Sequence, residues 1–231
     1  MNIITNETAT ENIATAGINA QRGIQVKKNK KIYIKVKRVI DAILATIALI
    51  ILSPLFAIIA IAIKLDSKGP VFFEHKRIGK NGKIIKLYKF RSMVVNAEEL
   101  IKSFTPEQMK EYKENYKLTN DPRITRVGKF LRKTSLDELP QLLNIINGDL
   151  SIIGPRPVVA DELEKYGVNK DKFLSVTPGL TGYWAANGRS NTTYEQRMQM
   201  ELYYIDNLSL KMDIKVFFKT ILSVVKKEGA V

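Results

Sequence analysis

Apolar positions run almost unbroken from Val39 to Ile63, the longest such run in the chain. About 25 residues of helix extend roughly 37 Å, enough to cross a hydrocarbon core of about 30 Å. Two features stand against a plain crossing. Pro54, beside Ser53, sits near the middle, where a proline removes a backbone donor and kinks a helix. Cations also flank both ends: Lys27, Lys28, Lys30, Lys31, Lys35, Lys37 and Arg38 before the run, and Lys64, Lys68, Lys76, Arg77 and Lys80 after it. Positive charge at a membrane end favours the cytoplasm, so a crossing helix receives no orientation from this pattern. A re-entrant hairpin that enters, bends at Ser53-Pro54 and leaves by the same face satisfies both ends. The residues alone leave span and hairpin open. Asp41 lies one turn beyond Lys37 and Arg38, and an ion pair with them is expected.

The remaining pattern is that of a domain with mixed elements. Val71 to Phe73 and Ile84 to Tyr88 flank the turn signal Gly79-Lys-Asn-Gly82, which predicts a β-hairpin carrying many cations. Asn96 to Lys117 has helical spacing, broken at Thr105-Pro106. Tyr194 to Leu208 and Leu210 to Lys227 also read as helices. The last has an apolar stripe (Leu210, Ile214, Phe217, Phe218, Ile221, Leu222, Val225) opposite lysines, suited to a membrane interface or to packing on the domain. Residues 1–24 are polar, without the apolar core of a signal peptide. The expected division is a polar, flexible leader over residues 1–30, a membrane segment over 31–66 and a cytosolic domain over 67–231. The expected class is α+β, mainly helical.

Composition narrows the chemistry. The chain of 231 residues carries 37 Lys and Arg against 23 Asp and Glu, a formal charge of +14. Such a surplus points to a polyanionic partner: nucleic acid, an anionic membrane or phosphate-bearing substrates. Cysteine is absent, which excludes disulfides and thiolate sites. One histidine, His75, excludes a multi-histidine metal site.

The chemistry concentrates in Thr134-Ser-Leu-Asp-Glu-Leu-Pro-Gln-Leu142. Asp137 and Glu138 stand together at an expected helix start, close after Arg132 and Lys133. Ser135 and Glu138 also fit a capping box, so the acids can be read as helix-start residues. Downstream, Gly154-Pro-Arg-Pro157 holds Arg156 in a turn stiffened by two prolines, which fixes the direction of the guanidinium. Thr177-Pro-Gly-Leu-Thr-Gly182 is a second stiff loop, able to approach a ligand closely.

Taken in order, these pieces resemble the bacterial sugar transferase family, the monotopic polyprenyl-phosphate phosphoglycosyl transferases. The resemblance rests on Lys37-Arg38-x-x-Asp41, Ser53-Pro54, Gly69-Pro-Val-Phe-Phe73, Lys89-Phe-Arg-Ser-Met93, Asp121-Pro-Arg-Ile-Thr125, Ser135-Leu-Asp-Glu-Leu-Pro-Gln141, Gly148-Asp149, Gly154-Pro-Arg-Pro157, Pro178-Gly-Leu-Thr-Gly182 and Asn187-Gly-Arg189. It implies a monotopic protein with a re-entrant helix-break-helix hairpin at Ser53-Pro54, amphipathic interfacial helices and a small β-hairpin. It implies Mg²⁺-dependent transfer of a sugar 1-phosphate from a UDP-sugar to undecaprenyl phosphate, with release of UMP. Asp137 would be the nucleophile, Glu138 would serve the metal, Arg132 would bind phosphate, and Arg156 with Pro157 would line the same site. The implied setting is the inner membrane of a bacterium, entered from the cytosolic face, at the first membrane step of exopolysaccharide, capsule or glycoconjugate assembly. Anionic lipid is then the polyanionic surface and nucleic acid is not a partner; a homodimer stays open. The chain would be a small, catalytic-core-type member. It departs from the family at His75, where many members have Gln, and at Gly182-Tyr-Trp-Ala-Ala-Asn187, where many relatives have Trp-x-Gln. The competing reading is a non-enzymatic basic domain on a membrane anchor, which gives Asp137 no role.

Overall fold

The computed structural model describes residues 28–115, 118–188 and 192–225. Most of the expected leader, with Arg189, Lys226 and Lys227, lies outside the described residues. The first element, α1 (Lys28–Asp66), is a single helix of 39 residues with Pro54 inside it. The expected interruption at Ser53-Pro54 is therefore absent from the helical backbone. The reason is local. Pro54 has no N–H to give the carbonyl of Ile50, four residues back, and the Ser53 hydroxyl donates to that carbonyl instead at 2.8 Å.

One stripe of α1 is buried along most of its length. Asp41, Ala45, Ile59 and Ile63 are 1–5% exposed, whereas Ile43, Ile47, Ile50, Ile51, Ile58 and Ile61 are 48–69% exposed. The stripe packs on the rest of the chain on both sides of Pro54. Ala45 belongs to a cluster with Ile85, Leu87, Leu142, Ile145 and Leu150. Ile59 and Ile63 join Phe90 and Leu131 in a second cluster. Each such fully buried Ile contributes about 2 kcal/mol. Polar contacts add to the packing in each half: Arg38 donates to the carbonyls of Ile145 and Ile146 at 3.0 and 2.6 Å, and Asp66, the last residue of α1, accepts from Val127 N–H at 3.0 Å. The expected Lys37–Asp41 pair is present at 3.3 Å, and Lys37 also reaches Asp213 at 2.8 Å.

The hairpin forms as the sequence predicts. Strands β1 (Phe72–Ile78) and β2 (Ile84–Phe90) pair antiparallel from Phe72↔Phe90 to Ile78↔Ile84. Asn81 and Gly82 turn the chain with φ of 56° and 77°. Short helices α2 (Ala97–Leu100) and α3 (Pro106–Asn115) follow, separated at Thr105-Pro106 as expected. Helices α4 (Arg126–Thr134) and α5 (Gln141–Asn147) flank the acid pair. Asn144 on α5, 0% exposed, docks on β2 by accepting from Tyr88 N–H at 2.9 Å and donating to Lys86 O at 2.7 Å.

A second, parallel pairing was not visible in the sequence. Strand β3 (Ser151–Ile153) pairs with β4 (Gly179–Thr181). Helices α6 (Ala160–Glu164) and α7 (Lys170–Leu174) fill the crossover. Helices α8 (Tyr183–Asn187), α9 (Tyr194–Asp206) and α10 (Leu210–Val225) close the chain. A third cluster, centred on Ile153, Val158, Phe173, Tyr204 and Val216, joins them. The apolar stripe of α10 points outward: Leu210, Ile214, Phe217, Phe218, Ile221 and Leu222 are 45–61% exposed.

Candidate active site

The acid pair sits on one 3₁₀ turn, Leu136–Glu138, between α4 and α5. Ser135 is left-handed, with φ of 57°, and makes no capping bond through its side chain. It ends α4, its N–H donating to Arg132 O at 3.2 Å. The expected capping box is thus not formed, because a left-handed residue cannot serve as the extended N-cap that the box requires. Leu136 and Leu139 pack against the cluster of Ile59, Ile63, Phe90 and Leu131. With those two side chains turned into the core, Asp137 and Glu138 meet Lys89 on β2. Lys89 Nζ lies 2.6 Å from Glu138 Oε1 and 3.9 Å from Asp137 Oδ2.

Asp137 is 8% exposed. Burial raises its pKa above the ordinary carboxylate value; Lys89 and Arg132 oppose that rise and Glu138 adds to it. The ionised form thus lies in a dry place with two cations near and a like charge beside it. Such a carboxylate is less solvated than one in water and correspondingly more reactive.

Arg132, on α4, acts on Asp137 through its charge. Its Nε donates to Ser92 Oγ at 2.8 Å. The Asp121-Pro-Arg-Ile-Thr125 stretch holds Ser92 in place. Arg123 pairs with Asp121 at 2.6 Å and lies 5.2 and 5.0 Å from the ring centres of Phe104 and Tyr112. Thr125 N–H and Val94 N–H then bond to Ser92 O and Arg123 O at 3.1 and 2.9 Å. Gly128 on α4 completes the fit, since a Cβ there would stand 2.0 Å from Ser92 O.

A polar cleft opens beside the pair, lined by His75, Arg77, Leu87, Lys89, Glu138, Gln141, Arg156, Pro157, Gly179 and Leu180. It brings together Glu138, Arg156 and Pro157 of the expected site, while Asp137 and Arg132 stay outside its lining. Ser53 and Pro54, exposed in the middle of α1, have no part in it. Phe73, His75, Arg77, Leu87 and Lys89 share one hairpin face, because Phe73 opposes Lys89 and His75 opposes Leu87. His75 is thus a lining residue. Burial, then Arg77, Lys89 and Arg156, holds its pKa down at about 4, so it is neutral near pH 7. Arg156 lies 5.9 Å from the ring centre of Trp184. Glu138 thus shares the cleft with Lys89, Arg77 and Arg156, and Asp137 beside it is within the field of Lys89 and Arg132. This arrangement suits a substrate carrying more than one phosphate charge.

The sequence pattern of the family described as bacterial sugar transferase matches residues 32–227. The chain belongs to that family. Among curated proteins it is 45% identical to the exopolysaccharide production protein ExoY of Rhizobium meliloti, over 84% of this chain and 87% of ExoY. It is 44% identical to the undecaprenyl-phosphate galactose phosphotransferase of Salmonella typhimurium, over 84% of this chain and 41% of that protein. It is 40% identical to the UDP-glucose:undecaprenyl-phosphate glucose-1-phosphate transferase of Escherichia coli, over 80% of this chain and 39% of the other. The sugar transferase chain thus spans most of ExoY but only about two fifths of the Salmonella and Escherichia proteins.

Two carboxylates stand together at the pair, and no group of three or more His, Asp or Glu suited to a metal occurs among the described residues. That donor set fits Mg²⁺, which is commonly held by one or two carboxylates with substrate phosphates and water supplying the rest. Glu138, less buried than Asp137, would be the better placed ligand, and binding would replace its pairing with Lys89.

Proposed function

We propose that this sugar transferase moves a sugar 1-phosphate from a UDP-sugar to a polyprenyl phosphate, undecaprenyl phosphate by the names of its relatives, and releases UMP. The observation that carries the proposal is the buried Asp137, flanked by Glu138 and by two cations from separate elements, Lys89 on β2 and Arg132 on α4. Asp137 Oδ attacks the β-phosphorus of the donor. A P–O bond forms to the carboxylate and the P–O bond to UMP breaks, leaving a phospho-sugar on Asp137. An oxygen of the polyprenyl phosphate then attacks the same phosphorus and frees the carboxylate. Arg132 and Arg156 bind and orient the donor phosphates, and Lys89 keeps Asp137 ionised despite its burial. Glu138 would hold Mg²⁺, which when bound would neutralise diphosphate charge that otherwise repels an attacking anion. UMP release by the detergent-solubilised chain, with undecaprenyl phosphate, Mg²⁺ and a panel of UDP-sugars, tests this. Release with at least one donor is expected; none with any donor returns the basic membrane-anchor reading.

The pH dependence follows from the surroundings of Asp137. Attack needs the carboxylate, so turnover falls on the acid side as Asp137 gains its proton. Because burial raises its pKa, that limb lies above the ordinary Asp range. Lys89→Met removes the attraction that opposes the rise. The acid limb of kcat against pH is expected to move upward in this variant; an unmoved limb would show that Lys89 does not act on the titrating group.

We infer further that α1 is held at the cytosolic face of the inner membrane, with both of its ends on that side. The domain packs on both halves of α1, which is tied to the same body by Arg38 in its N-terminal half and by Asp66 at its end. A helix crossing the bilayer would leave one end out of the domain's reach. The exposed apolar faces of α1 and α10 provide a surface for lipid, with cations around it for anionic headgroups. Because cysteine is absent, single cysteines at positions 35 and 68 give clean reporters. Both are expected to react with an impermeant thiol reagent from the cytosolic side only; reaction from opposite sides would establish a crossing.

A further inference from the structure

We propose that Glu201 is a positioning residue for Arg156, holding the backbone of the Gly154-Pro-Arg-Pro157 turn so that the guanidinium faces the cleft. The inference rests on the donor-phosphate role given to Arg156 above. Glu201 lies on α9 and is 0% exposed. Its Oε1 accepts from the Arg156 N–H at 3.0 Å, across 45 residues of sequence.

The rest of the turn is fixed by other means. Gly154 N–H donates to Thr181 O and Gly179 N–H to Pro155 O, each at 2.9 Å. A Cβ at Gly179 would stand 2.1 Å from Gly154 N, and one at Gly182 would stand 2.1 Å from Gly154 O, so backbone meets backbone there. Beyond the turn, Val158 O accepts from Ile78 N–H at 2.8 Å. Pro155 and Pro157 have restricted φ of their own. Arg156 is the remaining hinge of the turn, and Glu201 is the group that grips it.

An apolar side chain would serve α9 better if packing were the only demand, because an isolated buried carboxylate is costly. Burial pushes the Glu201 pKa up to about 7, against the backbone hydrogen bond from Arg156 and the fields of Arg197 and Arg156. Its neighbours repeat the logic. Tyr204, one turn on, places its hydroxyl 2.7 Å from Asp213 Oδ1 and 3.1 Å from Ile153 O, against the strand that leads into the turn. Arg197, one turn back, lies 4.7 Å from the ring centre of Trp184, the same ring that Arg156 approaches. Helix α9 thus holds the strand, the turn and the aromatic ring against which the arginine rests.

The test is a double-mutant cycle on the full chain in detergent, read as the donor KM for UMP release. Glu201→Ala is expected to raise the donor KM about tenfold, the effect of losing one hydrogen bond to a charged group, with acceptor KM unchanged. In the Arg156→Ala background the same change is expected to cost less than about twofold, since its route is already cut. Glu201→Gln keeps an oxygen acceptor and should bring the donor KM back to within about threefold of the parent chain. If Glu201→Ala does not fold, Glu201→Asp retains the charge and retracts the acceptor; it should raise the donor KM in the parent background alone. Equal penalties in both backgrounds would mean a general structural role and overturn the proposal. So would an unchanged donor KM in the Ala and Asp variants, or in Arg156→Ala while UMP release continues. Absence of UMP release from the parent chain would instead strike the transfer reading itself.

Discussion

Replacing Asp137 by Asn should drop UMP release by at least about a hundredfold while leaving the fold intact, because it removes the attacking oxygen and little else. The amide matches the carboxylate in shape, and the turn Leu136–Glu138 is held by Leu136 and Leu139 in the core, not by the Asp137 side chain. Stability should not fall. The raised pKa of Asp137 means that folding disfavours its ionised form, so the neutral Asn removes a burial cost at neutral pH. The thermal midpoint is therefore expected to stay level or rise. Turnover surviving above a few per cent would reject Asp137 as nucleophile. A loss of activity together with a falling midpoint would point to a structural role.

The second large effect is expected at Arg132. Its guanidinium is fixed through Nε to Ser92 at 2.8 Å and acts on the carboxylate of Asp137. Arg132→Ala should raise the donor KM by roughly 10- to 100-fold, the range for a hydrogen bond between charged groups at about 1.5–3 kcal/mol. Arg132→Lys should recover only part of this, since a point charge lacks the fork that both reaches Ser92 and meets phosphate. An unchanged donor KM in Arg132→Ala would remove the residue from phosphate binding.

The sequence showed the elements better than it showed their assembly. The hairpin, the break at Thr105-Pro106 and the two C-terminal helices follow from turn residues and local periodicity, and the structure has them all. The parallel pairing of β3 with β4 was hidden. Each strand is three residues long, too short for a period-two pattern, and their partnership depends on Gly154, Gly179 and Gly182 letting backbones touch. The stiff Thr177–Gly182 loop read as a ligand loop. Its glycines serve the packing of the Arg156 turn, while Gly179 and Leu180 also line the cleft.

Within the site, the adjacent acids and the arginine between prolines were legible because the chain places them close together. Lys89 and Arg77 were visible only as cations of a basic segment, and His75 only as a departure from the family pattern. That they face the acids follows from strand register with Phe73 and Leu87, which a single sequence does not fix. Glu201 gave no signal at all: an acid on an amphipathic helix looks solvated until its burial is seen. The Ser53-Pro54 step was legible as a disturbance of α1, but not the way Ser53 satisfies the carbonyl that Pro54 leaves unpaired. Ser135 misled for a related reason, since a serine three residues before Glu fits a helix start whichever helix it belongs to.

The most direct test of the account is mass spectrometry of the intact chain after incubation with donor alone, using a UDP-sugar that supports UMP release. The expected result is one sugar phosphate added per chain, located on the peptide containing Asp137 and discharged when polyprenyl phosphate is supplied. Transfer at full rate with no adduct, or with the adduct on another residue, would contradict it.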